Sequence, residues 1–242
     1  MRSTRELKYM AKAAMRGKTG WLILVMLTEV LLNFAVGTLT DTFFGGSSML
    51  DLVIGQVFSF ILSLVFCVVS AGASYIYVNV ARGRECSVSD LFFFFRNHPD
   101  NVIIASFILS LISLLTSLPS AFYVFGTEMG NTVEAQMSWA SGYLAVTVLC
   151  MVLNVIFSLP FSMAYYVLAD DPELRGMQAL KISIGLMKGR KWRYLRLLLS
   201  FVPMMVLSAF TLYLALLWVL PYLELSIAEF YRDAVGELKE IQ

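Results

Sequence analysis

The chain has 242 residues, 59% of them hydrophobic and 14% charged, with a net charge of +1. Soluble domains average about 45–50% apolar and about 25% charged residues, and a soluble chain of this size keeps too much surface to hide such a surplus. A soluble globular domain is excluded, lipid is the implied solvent, and the near-zero net charge gives no pull toward nucleic acid.

The N-terminal segment opens with Ser3 and Glu6, a capping-box pair, and continues with Leu7, Met10, Ala11, Ala14 and Met15 on one face. This pattern predicts a short amphipathic helix ending at Gly17. No cleavable signal precedes the first apolar run, Trp21–Leu39, which is expected to stay as an anchor. A membrane helix needs about 20 apolar residues to cross a core of about 30 Å. Leu52–Ala81 meets that length as a second span. Ser87 and Asp90 then cap a shorter amphipathic piece, Leu91–Phe95, before a third span at Val102–Ala121 and a fourth at Ser138–Ala169. Asp171-Pro172-Glu173 reads as an N-cap, a first-turn proline and a first-turn acid. The stripe Leu174, Met177, Leu180, Ile184 and Met187 follows, stopping at Gly189. Trp192–Tyr231 is twice too long for one crossing. It is predicted to form two spans with a turn near Ala209–Tyr213; five spans with an external C-terminus is the alternative.

The basic residues orient these spans. All 18 Lys and Arg fall before the first span, between spans two and three, between four and five, or after the last. The other two connections, Thr40–Asp51 and Phe122–Met137, carry Asp41, Asp51, Glu128 and Glu134 but no cation. The positive-inside rule then places the basic side and the N-terminus in the cytoplasm. The prediction is an all-α polytopic transmembrane bundle. Its six spans form three hairpins, each preceded by a short amphipathic cytoplasmic interfacial helix, in one membrane domain with repeats at 3–82, 87–170 and 171–234. Met15-Arg16-Gly17-Lys18 before Trp21 matches Met187-Lys188-Gly189-Arg190 before Trp192. The returning spans end alike in Tyr75 and Tyr77, Tyr165 and Tyr166, and Phe230 and Tyr231, read as aromatic anchors at the inner interface.

The second half resembles a family of bacterial integral membrane proteins catalogued as domain of unknown function nine-seven-five. The resemblance rests on Ala169-Asp170-Asp171-Pro172, Ala179-Leu180, Leu186-Met187-Lys188-Gly189 with Lys191-Trp192, Leu220-Pro221-Tyr222 and Phe230-Tyr231-Arg232-Asp233. The stretches RELKYMAKAAMRGKTGW and ARGRECSVSDLF are similar to it too, so most of the chain is covered. Where that family would place glycines in the last turn, this chain has AFTLYLAL. The resemblance implies the bacterial plasma membrane and brings no reaction, cofactor or catalytic residue. At fold level it is also distantly like the membrane domain attached to some glycerophosphodiester phosphodiesterases.

Catalytic motifs are lacking. His98 is the single histidine and supports no zinc set. Cys67, Cys86 and Cys150 have no metal or redox spacing and read as reduced thiols. No enzyme activity, metal or cofactor is expected. Polar residues inside spans are costly and face a bundle interior or water. Glu29 and Asn33 share a face of the first span, Glu224 lies in the sixth, and Asn154 precedes the break expected at Pro160. These four read either as a proton- or cation-responsive site or as hydrogen-bonded polar residues joining helices. Lys188, Arg190, Lys191, Arg193 and Arg196 read either as an anionic-lipid contact or as a plain topology signal. The first functional expectation is a non-enzymatic envelope component with lipids, another membrane protein or itself as partner, and no nucleic acid. A small-solute, ion or lipid transporter with a midplane site is its rival. A membrane enzyme acting on lipid headgroups is a weaker third.

Overall fold

The computed structural model describes residues 2–44 and 49–239. Eleven α-helices are described, with short 3-10 turns between some of them and no strand among the described residues. They are α1 (Thr4–Met15), α2 (Thr19–Phe44), α3 (Met49–Ala81), α4 (Phe93–Arg96), α5 (Pro99–Gly126), α6 (Val133–Ser158), α7 (Ala164–Asp170), α8 (Gly176–Met187), α9 (Lys191–Leu199), α10 (Val202–Ser208) and α11 (Leu216–Val235). Four stretches among the described residues are long and apolar enough to cross a membrane: Phe60–Ala81, Pro99–Gly126, Val133–Asp170 and Lys191–Thr211. Thr19–Leu32 is a shorter apolar helix. The four charges of α11, at Glu224, Glu229, Arg232 and Asp233, set it apart from these.

Helix α1 forms as its sequence predicts. Ser3 Oγ accepts from the Glu6 N–H at 3.3 Å, and Glu6 Oε2 accepts from the Ser3 N–H at 2.9 Å. Leu7, Ala11 and Met15 are buried, but against protein: α1 packs on α11, α3 and α9. After it, Arg16 (φ −59°, ψ 127°) and Gly17 (φ 78°) make a type II turn closed by Lys18 N–H to Met15 O at 3.0 Å. Lys188 (φ −62°, ψ 121°) and Gly189 (φ 74°) repeat that turn, closed by Arg190 N–H to Met187 O at 3.0 Å. The two matching tetrapeptides thus adopt one geometry, and each requires glycine at its left-handed position.

The start of α8 corrects the sequence reading. Asp171 caps only a tight turn, accepting from the Glu173 N–H at 3.2 Å, and the helix begins at Gly176. That start sets the buried face at Gly176, Ala179, Leu180, Ser183 and Met187, leaving Met177 and Ile184 exposed. The reason is close packing on α5, where a Cβ at position 176 would lie 2.2 Å from Asn101 O.

The long fourth apolar segment breaks at Pro160, as expected of a residue that cannot donate into a helix. Helix α6 stops at Ser158, a 3-10 turn covers Leu159–Phe161, and α7 resumes at Ala164. Ser183 of α8, fully buried, repairs the gap: its hydroxyl donates to Pro160 O at 2.9 Å and accepts from the Met163 N–H at 3.1 Å. The C-terminal run reverses as well. Leu212 and Tyr213 both take positive φ, 51° and 64°, where glycines are the easy choice. Phe201 then meets Tyr222, Tyr194 meets Phe230, and Arg193 meets Asp233, a steady antiparallel register about that turn.

Four consecutive residues near the end of α11 gather the basic end of the molecule. Phe230 lies under the Arg193 guanidinium, 4.7 Å from the ring centre. Tyr231 donates to Asp170 Oδ2 at 2.6 Å, and Arg232 donates to Ala81 O at 2.6 Å and to both Glu229 oxygens. Asp233 accepts from Arg193 and from the Arg2 N–H. Beside them, Arg82 bridges Asp170 at 2.5 Å and Glu237. Burial alone would push the Glu237 carboxyl up, but hydrogen bonds from Arg82 and Arg232 hold it below the usual carboxylate range.

Helix α3 also depends on a close approach. A Cβ on Gly72 would sit 2.0 Å from Leu91 O, a backbone atom of the 3-10 turn Val88–Phe92. Gly72→Ala is expected to cost at least about 1–3 kcal/mol, whereas Gly185→Ala, with nothing within 4 Å, should be neutral or stabilise by about 0.5–1 kcal/mol. Thermal unfolding of the two variants in one detergent checks this; equal midpoints would contradict the packing.

Candidate functional site

Behind the charged end, five helical segments close around a polar cavity of about 240 Å³. Helix α2 contributes Glu29, and α3 contributes Ser70, Ser74 and Tyr77, spaced so that all three point inward from one face. The Pro160 break and α7 contribute Ser162, Tyr165 and Tyr166; α9 contributes Tyr194; α11 contributes Glu224 and Ile227. Among the described residues no Lys or Arg lines the space. Two carboxylates therefore share one enclosure with four tyrosine rings and three serine hydroxyls.

The two acids are held differently. Ser70 Oγ donates to Glu29 Oε1 at 2.7 Å. Tyr166 OH donates to Glu224 Oε2 at 3.0 Å. Tyr166 itself is buried and stacks on Tyr231 at 5.7 Å between ring centres, which links the cavity to the charged end. The Tyr165 hydroxyl is engaged with Ser106 Oγ of α5 at 2.8 Å. Tyr77 is the exception. It is 1% exposed, and its hydroxyl has no hydrogen-bond partner among the described residues. A buried hydroxyl without a partner costs about 1–3 kcal/mol.

Of the four polar residues singled out from sequence, the structure brings Glu29 and Glu224 together in this cavity. Asn154 lies elsewhere: its amide donates to Thr116 Oγ1 at 2.9 Å and joins α6 to α5. The Asn33 side chain lies outside the described ones. Of the six span-end aromatics, Tyr77, Tyr166, Phe230 and Tyr231 are buried among helices, and Tyr75 and Tyr165 are half-buried. Sequence reasoning missed Ser70, Ser74 and Ser162, although Ser70 and Ser74 share a helical spacing with Tyr77 that could have marked them.

The basic cluster of α8 and α9 divides. Arg193 is committed to Asp233 and Phe230, and Arg190 donates to Leu186 O at 2.8 Å. Lys188, Lys191 and Arg196 are exposed. Among the described residues no group of three or more His, Cys, Asp and Glu converges as a metal-binding set.

Residues 1–237 match the family described as "Protein of unknown function (DUF975)". The chain belongs to the DUF975 family. No curated protein and no solved structure matches it. The motifs that carried the resemblance now have physical roles in this DUF975 member. Phe230-Tyr231-Arg232-Asp233 ties the basic end together, and Asp170 receives both Arg82 and Tyr231. Met187-Lys188-Gly189 forms the type II turn that starts α9.

Because the buried Tyr77 hydroxyl has no partner among the described residues, Tyr77→Phe should relieve that cost and stabilise by about 1–3 kcal/mol. Tyr166→Phe, which strips a bond from Glu224, should cost about 1 kcal/mol. Chemical unfolding of both in detergent micelles tests the pair; a loss for Tyr77→Phe would contradict the assignment.

Proposed function

We propose that this DUF975 protein crosses the bacterial plasma membrane six times with both termini in the cytoplasm. We further propose that it is a non-enzymatic carrier of a small organic cation, a protonated amine, that binds in the Glu29–Glu224 cavity. The observation that carries the reading is the pairing of Glu29 and Glu224 around one space that, among the described residues, no Lys or Arg lines. An ammonium donates to carboxylates and serines, and tyrosine faces attract a desolvated cation. A volume of about 240 Å³ falls below the range of about 300–1,000 Å³ for drug-sized ligands, which favours a solute of a few non-hydrogen atoms.

Two further features support it. Transporter sites are commonly built where a membrane helix is interrupted, and the break at Pro160 supplies one wall through Ser162. The contacts of Arg2 with Asp233 and with Leu238 O bring the last helix's end beside the N-terminal segment. That neighbourhood favours an even number of crossings, and the one-sided basic residues favour a cytoplasmic location for it. A second reading, an accessory component acting through membrane-protein contacts, draws on the α5–α6 hairpin, whose Phe122 and Phe125 are each 72% exposed.

Titration calorimetry on the protein in nanodiscs, with methylammonium and ethanolammonium as probes, tests the carrier. Saturable binding is expected, weakened at least about tenfold by Glu224→Gln or Glu29→Gln through loss of a charge-assisted bond. Glycerol and acetate should not bind. Absence of saturable binding by either amine to folded protein would overturn the proposal, as would affinities untouched by both glutamines.

A further inference from the structure

A second cavity, of about 510 Å³, lies away from the acidic one, between α1 and the α10–α11 pair. Its edge carries three cations, Lys8 and Lys12 on one face of α1 and Arg16 in the turn that follows it. Its walls are apolar, formed by Met204 of α10 and by Trp218 and Val219 of α11, with Tyr222 beside Lys8. Among the described residues no carboxylate lines it.

The three cations have different roles. Lys8 is held by the protein: its ammonium donates to Ser200 O and Ser200 Oγ, each at 3.1 Å, and lies 4.0 Å from the Phe201 ring centre. Lys12 and Arg16 are exposed, and among the described residues neither forms a salt bridge. They are cations without an anion, at the mouth of an apolar groove. Elsewhere on α10, Val206 is 60% and Leu207 is 62% exposed. A soluble anion would match the cations and leave the walls unused. An uncharged hydrocarbon would match the walls and leave the cations unpaired. Only an amphiphile with a negative head satisfies both ends.

We infer that the groove between α1, α10 and α11 is a binding site for one anionic phospholipid of the inner leaflet. Its phosphate is held by Lys12 and Arg16, and its acyl chain lies along Met204 and Trp218. This goes beyond the carrier reading and does not depend on it: the groove shares no residue with the acidic cavity.

Trp218 provides the readout, because bromine on a lipid chain quenches indole fluorescence only at contact. The experiment uses full-length protein with Trp21, Trp139 and Trp192 changed to Phe, reconstituted in phosphatidylcholine bilayers. Dibrominated phosphatidylglycerol or dibrominated phosphatidylcholine is added as the same minor fraction. Phosphatidylglycerol is expected to quench Trp218 preferentially, and each of Lys12→Gln and Arg16→Gln should lower that preference about fivefold, as one surface cation is worth. The charge-keeping Lys12→Arg should retain it. Equal quenching by the two lipids in folded protein, or a preference unchanged in the Lys12→Gln/Arg16→Gln double variant, would overturn the site. So would loss of the preference on adding glycerol phosphate, which would make it a site for a soluble phosphate instead.

Discussion

The arrangement of this protein depends on burying three charged residues near the end of one helix. Glu229, Arg232 and Asp233 on α11 are each under 10% exposed. A buried charge left without its partner costs about 3–5 kcal/mol, so every element that supplies a partner must arrive at the same place. Arg193 comes from α9, the Arg2 backbone from the N-terminal segment and the Ala81 carbonyl from the end of α3. Arg82 and Asp170 extend the network to the end of α7. The constraint draws the basic segments to one end of the molecule and makes α11 its axis, although α11 is too charged to stand out as a membrane helix.

The acidic cavity follows from that convergence. Once the ends of α3, α7 and α11 are tied together, their inward faces meet one turn or more above the knot. Those faces carry Tyr77, Tyr166 and Glu224. The Pro160 break keeps the fourth segment from filling the space, and Ser183 makes the break tolerable by bonding both freed backbone groups. Irregular backbone at this depth persists only where protein satisfies it or a cavity adjoins it; here both conditions hold. The stacked pair Tyr166 and Tyr231 joins cavity and ionic knot: Tyr166 bonds Glu224 and Tyr231 bonds Asp170.

Much of this was legible in the sequence, for identifiable reasons. Capping in α1, the paired glycine turns and the interruption at Pro160 are local events, decided by a few adjacent residues. The reversal at Leu212–Tyr213 was legible from length alone, despite its lack of glycine. Features set by distant partners were not. Asp171 has the residue type of a helix cap, yet the packing of Gly176 on Asn101 delays the helix. The tyrosines at the span ends read as interfacial anchors, but the burial of Tyr77, Tyr166 and Tyr231 among helices is set by distant partners. Asn154 resembles Glu29 as an intramembrane polar residue, but Thr116 lies opposite it and claims its amide. Residue type marks which side chains need partners; only the fold says which partners they get.

In the proposed carrier, Glu29 and Glu224 make a water-accessible, cation-selective site. Replacing Ser162 on its wall by cysteine, in a chain with Cys67, Cys86 and Cys150 changed to serine or alanine, tests it most directly. The rates of modification by a cationic and an anionic methanethiosulfonate reagent of similar size are compared in membranes. The cationic reagent should react at least about tenfold faster, given the charge of two nearby carboxylates in a poorly screened space, and changing both Glu29 and Glu224 to Gln should erase the difference. Equal rates with the glutamates intact, or a cysteine that neither reagent reaches, would contradict the account.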